Sequence, residues 1–553
     1  MSGLQLPNAP GTQLFKPGYQ TYQSEDGAIN RNINACREIA SIVRTSIGPC
    51  GRNKIVINHL QKIFLTSDAA TILRELDVIH PAAKLMVMAS QQQQSEMGDA
   101  TNLVIILAGE FLNQAESLLR IGLHTADIIQ GYELAEKVAQ STLADLSVDK
   151  VENLRSEMEL YKAIMPAIAS KQYGNEELLA KLVAEAVFSV MPKNPKAFNV
   201  DNVRVVKVMG SSMDASRVVK GMVFNREPEG TVKKISSKAR VAVFNCPIDI
   251  SQTETKGTVL LHDAKEMLNF SKDEESHLES MIKSIADTGI KVIFSGQNVG
   301  ELALNYLNRN DILVLRVPSK FDLRRLCSVV GATPLARLGP PMPEEMGRVD
   351  IVETVEIGGD RVTVVRQENE VTRTSTIVVR GATQGLLDDV ERAIDDGVSV
   401  IKSLTKDARL IPGAGASEIE LVQKIVQQGE KTPGILQHAI KKYGEAFEII
   451  PRILAENAGL DATEVLGRLY AAHGKKGGVA TGVDVDDNDS TGIFDAKEHG
   501  ILDSLAAKSW AIKLATDTVN TILSVDQIVM AKRAGGPVMP KTAMPGNWDD
   551  DDD

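Results

Sequence analysis

MGDATNLVIILAG, residues 97–109, sets one acid behind a glycine at the mouth of a strongly apolar helix. Asp99 has two physical readings there. As a cap, its carboxylate accepts hydrogen bonds from the free N–H groups of the first turn and suits the positive end of the helix dipole. Alternatively, those N–H groups and the Thr101 hydroxyl cradle a phosphate, and Asp99 binds the metal that accompanies it. The rest of the chain decides between them.

At 553 residues the chain is too long for one core and divides into several domains. Hydrophobic residues are 43% and charged residues 24%, enough for sizeable cores, while 4% aromatics predict aliphatic ones. Net charge is −12, five units of it in the run Asp549–Asp553, which leaves −7 for the body. That balance argues against a nucleic-acid surface, and the acidic tail reads as a solvated end. Cys36, Cys50, Cys246 and Cys327 form neither a C-x-x-C pair nor a zinc spacing with the eight histidines, so free thiols are expected. The N-terminal residues lack the basic-then-apolar plan of a signal peptide and no apolar run reaches spanning length, so the expected location is the cytosol.

Working outward, INRNINACREIASIVRTSI (29–47) has helical spacing and stops at Gly48-Pro49, after which KIVINH and KIFLTS read as a hairpin. Helical pattern then runs from Thr71 to about residue 145, with breaks at Pro81 and Gly98. Further amphipathic helices lead to a strand, VRVVKVMG. Residues 214–370 alternate short β-rich and helical runs, as a separate α/β domain does. Within them, polar residues 251–273 precede an amphipathic stretch with Leu278, Met281, Ile282 and Ile285 on one face, either a projecting binding element or a surface loop leading to a core helix. From Thr376 the helical style returns, with a Thr383 N-cap. The order is that of one domain inserted within another.

No P-loop, H-E-x-x-H or G-x-S-x-G motif occurs. What remains is four Gly- or Asp-marked turns beside helix ends: SIGPCGRNK (46–54), TSDAATIL (66–73), GDATN (98–102) and PGAGA (412–416), joined to Asp395-Asp396 and to GVDV (482–485). In this order, with RVVKGMVF, VVRGAT and ERAIDD between them, they resemble the group II chaperonins over essentially the whole chain.

The resemblance implies a multidomain α+β chaperonin fold: a mainly α equatorial domain (1–150 and 407–553, with the acidic tail), a small α/β intermediate domain (151–213 and 371–406), and an inserted α/β apical substrate domain (214–370) with a helical lid protrusion at about 251–285. It implies ATP and Mg2+, and partners in two stacked eight-membered hetero-oligomeric rings that enclose unfolded proteins such as cytoskeletal ones. Asp99 would be the metal ligand. Asp68 would stand near the γ-phosphate and its water, and Asp396 would orient or deprotonate that water; Asp395, its helix neighbour, is expected in solvent. Gly48, Pro49, Gly51 and Thr101 would hold phosphates, and Lys171 would sense the γ-phosphate, with a plain surface lysine as the alternative. Gly413 and Gly415 would pack on the nucleoside, Gly482 and Asp484 line the base pocket, and Asp503 reach ribose or base. An apical groove at Val299–Arg309 would meet substrate, although Leu302, Leu304 and Leu307 fit a core face equally.

Two motifs depart from the family's N-D-G-A-T and G-D-G-T-T, reading Ser67-Asp68-Ala69-Ala70-Thr71 and Gly98-Asp99-Ala100-Thr101-Asn102: Ala69 and Ala100 stand where glycine permits close approach or positive φ. The acids remain. Two functions follow: an ATP-hydrolysing folding subunit, or a structural and substrate-binding ring member with weak turnover. A small-molecule phosphotransferase using the same acids is the third alternative.

Overall fold

The structure, a computed structural model, describes residues 20–21, 27–249, 264–367, 373–475, 477–486 and 491–530. The expected acidic tail and residues 251–263 of the expected protrusion lie outside them.

The two ends of the chain share one helical core. Thr101–Ile121 is its central helix, buried at Leu103 through Gly109 and again at Phe111, Leu112, Ala115 and Leu118. An all-round apolar helix has to be enclosed, and Gly27–Arg44, Pro81–Glu96, Leu436–Ala446 and Leu505–Leu523 pack against it. The sequence pattern runs on without a break beyond Ile121, but the chain turns at Gly122 (φ 99°) and starts the helix Thr125–Asp145. Four aromatics gather in this core: Phe111 stacks on Tyr443 at 4.3 Å, with Tyr132 and Phe447 around them. An otherwise aliphatic core thus has an aromatic centre.

The expected hairpin is present, Lys54–Ile57 antiparallel to Ile63–Thr66. It exposes Ile55, Ile57, Leu60 and Ile63.

A second core gathers Glu157–Ala169, Glu176–Val190 and Gln384–Lys406. Leu387, Val390, Ile394, Val398 and Ile401 of the last helix recur at three- and four-residue spacing and are all buried. Thr383 caps it, its hydroxyl accepting from Leu386 N–H. Beside this core Ser375–Gly381 runs parallel to Val203–Met209 and antiparallel to Arg217–Phe224, which in turn pairs with Asp360–Arg366. One six-stranded sheet therefore passes through both expected domain junctions, near 213 and 370.

The inserted segment builds a second sheet, with Ala239–Phe244, Ile290–Ser295 and Leu313–Arg316 parallel. The helix Ala264–Asp287 buries Leu278, Ile282 and Ile285 against it, whereas Met281 is only half-buried. On Glu301–Arg309, Ala303 and Leu307 belong to the core, Leu304 is half-buried and Leu302 is exposed.

Candidate functional site

Asp68 is the N-cap of the helix Ala69–Glu75. Its Oδ2 accepts from Thr71 N–H at 2.9 Å and Thr71 Oγ1 at 2.8 Å, and its Oδ1 from Thr101 Oγ1 at 2.7 Å. Lys171 Nζ lies 3.5 Å from the same oxygen. Burial works against this carboxylate's charge, yet Lys171, both hydroxyls and the Thr71 N–H together hold its pKa well below the usual range. Thr101, expected on phosphate, thus donates its hydroxyl hydrogen bond to Asp68.

Asp99 is not a cap of the usual kind. The N-cap of Thr101–Ile121 is Ala100, left-handed at φ 62°, ψ 26°, and Asp99 Oδ1 accepts the Ala100 N–H at 2.7 Å. Burial raises the Asp99 pKa, Lys171 and that N–H oppose, and Asp503 and Asp68 add to the rise. The two departing alanines differ in kind. Ala100 occupies the backbone region that favours glycine; Ala69 is a fully buried helix residue whose N–H donates to Asn102 Oδ1 at 2.8 Å. Asn102 Nδ2 also donates to Ser67 O at 3.1 Å and Ser46 O at 3.4 Å. Asn102 therefore ties the turns at 46–54 and 66–73 to this helix.

Lys171 brings the second core to this place. It forms an ion pair with Asp396 of Gln384–Lys406, and its side chain is only 12% exposed. The plain-surface alternative for Lys171 is thus not what the structure shows. Asp396 Oδ1 accepts from Gln94 Nε2 at 3.5 Å. Burial, with Asp68 and Asp99 adding to it, lifts the Asp396 pKa above the usual carboxylate range although Lys171 opposes. The same three acids keep Lys171 protonated against its burial. Asp395 is exposed on the other side of the helix, as expected. At Gly98 (φ 74°) this helix comes so close that a Cβ would stand 2.2 Å from Ser399 Cβ.

These residues border a cavity of about 510 Å³ lined by Gly48, Pro49, Asp99, Thr101, Lys171, Gly415, Asp484 and Asp503 among others, a size suited to a small molecule. Asp68 and Asp396 are not among the lining residues and join it through Thr101 and Lys171. Nor do Gly51, Gly413 and Gly482 line it. A Cβ on Gly51 would stand 2.6 Å from Ser46 O, on Gly413 3.1 Å from Ile501 O, and on Gly482 2.7 Å from Ala414 Cβ. These glycines let the turns close on themselves and on their neighbours.

Sequence reasoning missed a buried charge cluster on the cavity wall. Lys508 Nζ meets Glu418 Oε1 at 2.9 Å, Asp503 Oδ2 at 2.8 Å and Ser417 Oγ at 2.8 Å. Burial disfavours the Lys508 charge, and Asp503 and Glu418 restore it. Only the acid next to PGAGA hinted at this; a lysine in a late helix reads as surface.

The donor set fits Mg2+ in one particular way. Among the described residues no three His, Cys, Asp or Glu side chains are grouped to hold a metal unaided. Mg2+, however, is usually bound through one or two carboxylates with phosphate and water completing the shell, and Asp99 is a carboxylate on the cavity wall close enough to Asp68 and Asp503 for their charges to act on it. With Asp396, those acids outnumber Lys171, so a phosphate chain entering here calls for a cation.

The TCP-1/cpn60 chaperonin family matches residues 39–533, and the chain belongs to that family. Its fold is accordingly the multidomain α+β fold of the chaperonins. Among individual proteins it is 61% identical over 549 residues to the probable T-complex protein 1 subunit theta of Schizosaccharomyces pombe, covering 99% of this chain and 100% of the other. It is 56% identical over 566 residues to T-complex protein 1 subunit theta of Saccharomyces cerevisiae (99% and 100% covered), and 50% identical over 549 residues to that of Homo sapiens (99% and 99%). Among the described residues no helix is long and apolar enough to cross a membrane.

Proposed function

We propose that the chain is an ATP-hydrolysing subunit of a cytosolic double-ring chaperonin, with equatorial (1–150, 407–553), intermediate (151–213, 371–406) and apical (214–370) domains. The observation that carries this is the convergence on Lys171 of Asp68 and Asp99 from one core and Asp396 from the other. A site assembled from two domains couples occupancy to their relative position.

Asp99 would hold Mg2+, which when bound supplies positive charge to the phosphates. Lys171 offers its ammonium to the terminal phosphate. The backbone of Gly48, Pro49 and Gly51 shapes the phosphate turn, Thr101 stands beside it, and Gly415, Asp484 and Asp503 form the nucleoside side, on turns that Gly413 and Gly482 let close behind them. Asp396 takes the proton of the attacking water, for which a raised pKa suits it, while Asp68, ionised and fixed by four contacts, orients Lys171 and that water. Departure of Lys171 from Asp396 toward phosphate would release the base; closure of the apical lid over a non-native protein would follow from the same movement.

Ring partnership is supported by the exposed Ile55, Ile57, Leu60 and Ile63 of the hairpin, an apolar patch that suits a neighbouring subunit. The second reading, a structural and substrate-binding subunit with weak turnover, is favoured by the strained Ala100. Because the left-handed turn forms despite that methyl, the loop keeps its shape, and we favour hydrolysis. Asp396→Ala in the assembled particle tests this: ATP turnover falls while nucleotide labelling of this chain persists. Unchanged particle turnover would establish the structural reading instead.

A further inference from the structure

Three consecutive side chains after Glu157–Ala169 reach two separate parts of the chain. Lys171 pairs with Asp396, Gln172 Nε2 donates to the buried Asp389 two helical turns earlier on the same helix, and Tyr173 OH donates to Asp486 Oδ1 at 2.5 Å. The first two contacts lie in the interior. The third does not: Tyr173 is 49% exposed and Asp486 is exposed, yet both line the cavity, so they stand at its rim. Asp486 is held in position by its own N–H, which donates to Asp484 Oδ1 at 3.1 Å. The bond thus joins the segment that carries Lys171 to the turn that follows the strand Thr481–Val483.

We propose that Tyr173 and Asp486 form a latch across the cavity rim that retains bound nucleotide and sets the rate of its release, a role that rests on the nucleotide reading above. A phenol donating to a carboxylate makes a short, charge-assisted bond. The bond to Asp486 and then burial push the Tyr173 phenol up to about 12, so it stays a donor at neutral pH. Being solvent-exposed, the contact adds little to folding stability. It connects the two segments whose separation would open the rim, so its effect falls on exit and entry. Tyr173 does not touch the reacting atoms; it is a positioning residue.

The test uses the assembled particle carrying Tyr173→Phe in this chain. It is loaded with azido-ATP, chased with unlabelled ATP for increasing times and then irradiated, and the label remaining on this chain is followed. The expected result is release about three- to tenfold faster, the factor that a modest net hydrogen-bond contribution corresponds to. Asp486→Asn should act in the same direction, and the double variant should release no faster than the worse single variant. A merely structural contact would shift the melting temperature and leave the chase unchanged. Equal chase rates for wild type and both variants, with normal initial label, overturn the latch alone; no label on the wild-type chain at any concentration overturns the nucleotide reading and the latch with it.

Discussion

Lys171 and Asp396 form a buried ion pair that joins the loop after one helix to the middle of another, and Asp68 meets the same ammonium at 3.5 Å. Lys171→Met therefore leaves three carboxylates without their shared cation. Removing one partner of a buried pair costs about 3–5 kcal/mol, and a loss of this order is expected in urea unfolding of the purified chain. Lys171→Met with Asp396→Leu should recover much of it. An equal loss in the double variant would show that the pair does not account for the effect.

The two acids beside Lys171 depart from the usual carboxylate range in opposite directions, and pH separates them. Asp396 is raised, so as a base it is protonated and inactive over a wider acid range, and kcat should climb with pH through a midpoint above the usual value of about 4. Asp68 is lowered; its stabilising contribution is present above the usual carboxylate pKa and disappears as pH falls below it toward the folded-state value. The stability difference between wild type and Asp68→Asn should accordingly be largest near neutrality and shrink on acidification below about pH 4.

Ala69 and Ala100 should respond oppositely to glycine. Ala100→Gly keeps the left-handed conformation but removes the cost it imposes on an L-residue, about 1–2 kcal/mol, partly offset by the greater freedom of unfolded glycine, so a net gain of about 1 kcal/mol is expected. Ala69→Gly deletes a fully buried methyl at the first residue of a helix and should lose about 1 kcal/mol. Denaturant midpoints measure both, and equal signs would contradict the backbone assignment.

Gly98 sets how near the helix Gln384–Lys406 approaches the Asp99 turn. Gly98→Ala drives a methyl to 2.2 Å from Ser399 Cβ, so one side has to move. Asp396 moves with its helix, and the expected result is turnover reduced at least about tenfold, since small misplacement of a catalytic group is costly, with nucleotide labelling of this chain retained. Unaltered kcat would mean that the approach of this helix is not needed for hydrolysis.

Much of this arrangement was legible in the chain. The stop at Gly48-Pro49, the Thr383 cap and the apolar face of Gln384–Lys406 follow from local chemistry, whereas it was the chaperonin resemblance that pointed to Asp68, Asp99, Lys171 and Asp396; Asp68 and Asp396 contact the Lys171 ammonium and the charge of Asp99 acts on it. Other features depend on contacts that no local pattern encodes. Thr101 donates its hydroxyl hydrogen bond to Asp68, Asn102 binds two turns from other parts of the chain, and Lys508 is buried between Glu418 and Asp503. Gly413 and Gly482 carry the marks of cavity residues in sequence, but face neighbouring protein atoms. Gly122 does not stand out in the sequence because a helix that continues and one that restarts after a turn share the same apolar spacing.

The most direct measurement is subunit-resolved photolabelling of the assembled particle with azido-ATP, titrated upward from low concentration with and without Mg2+. Saturable, Mg2+-dependent label on peptides containing the cavity residues Gly415 and Glu418 or Asp484–Asp486 is expected, and it should be diminished by Asp99→Ala. Label absent from this chain while its neighbours saturate would contradict nucleotide binding here and leave the chain a structural member of its particle.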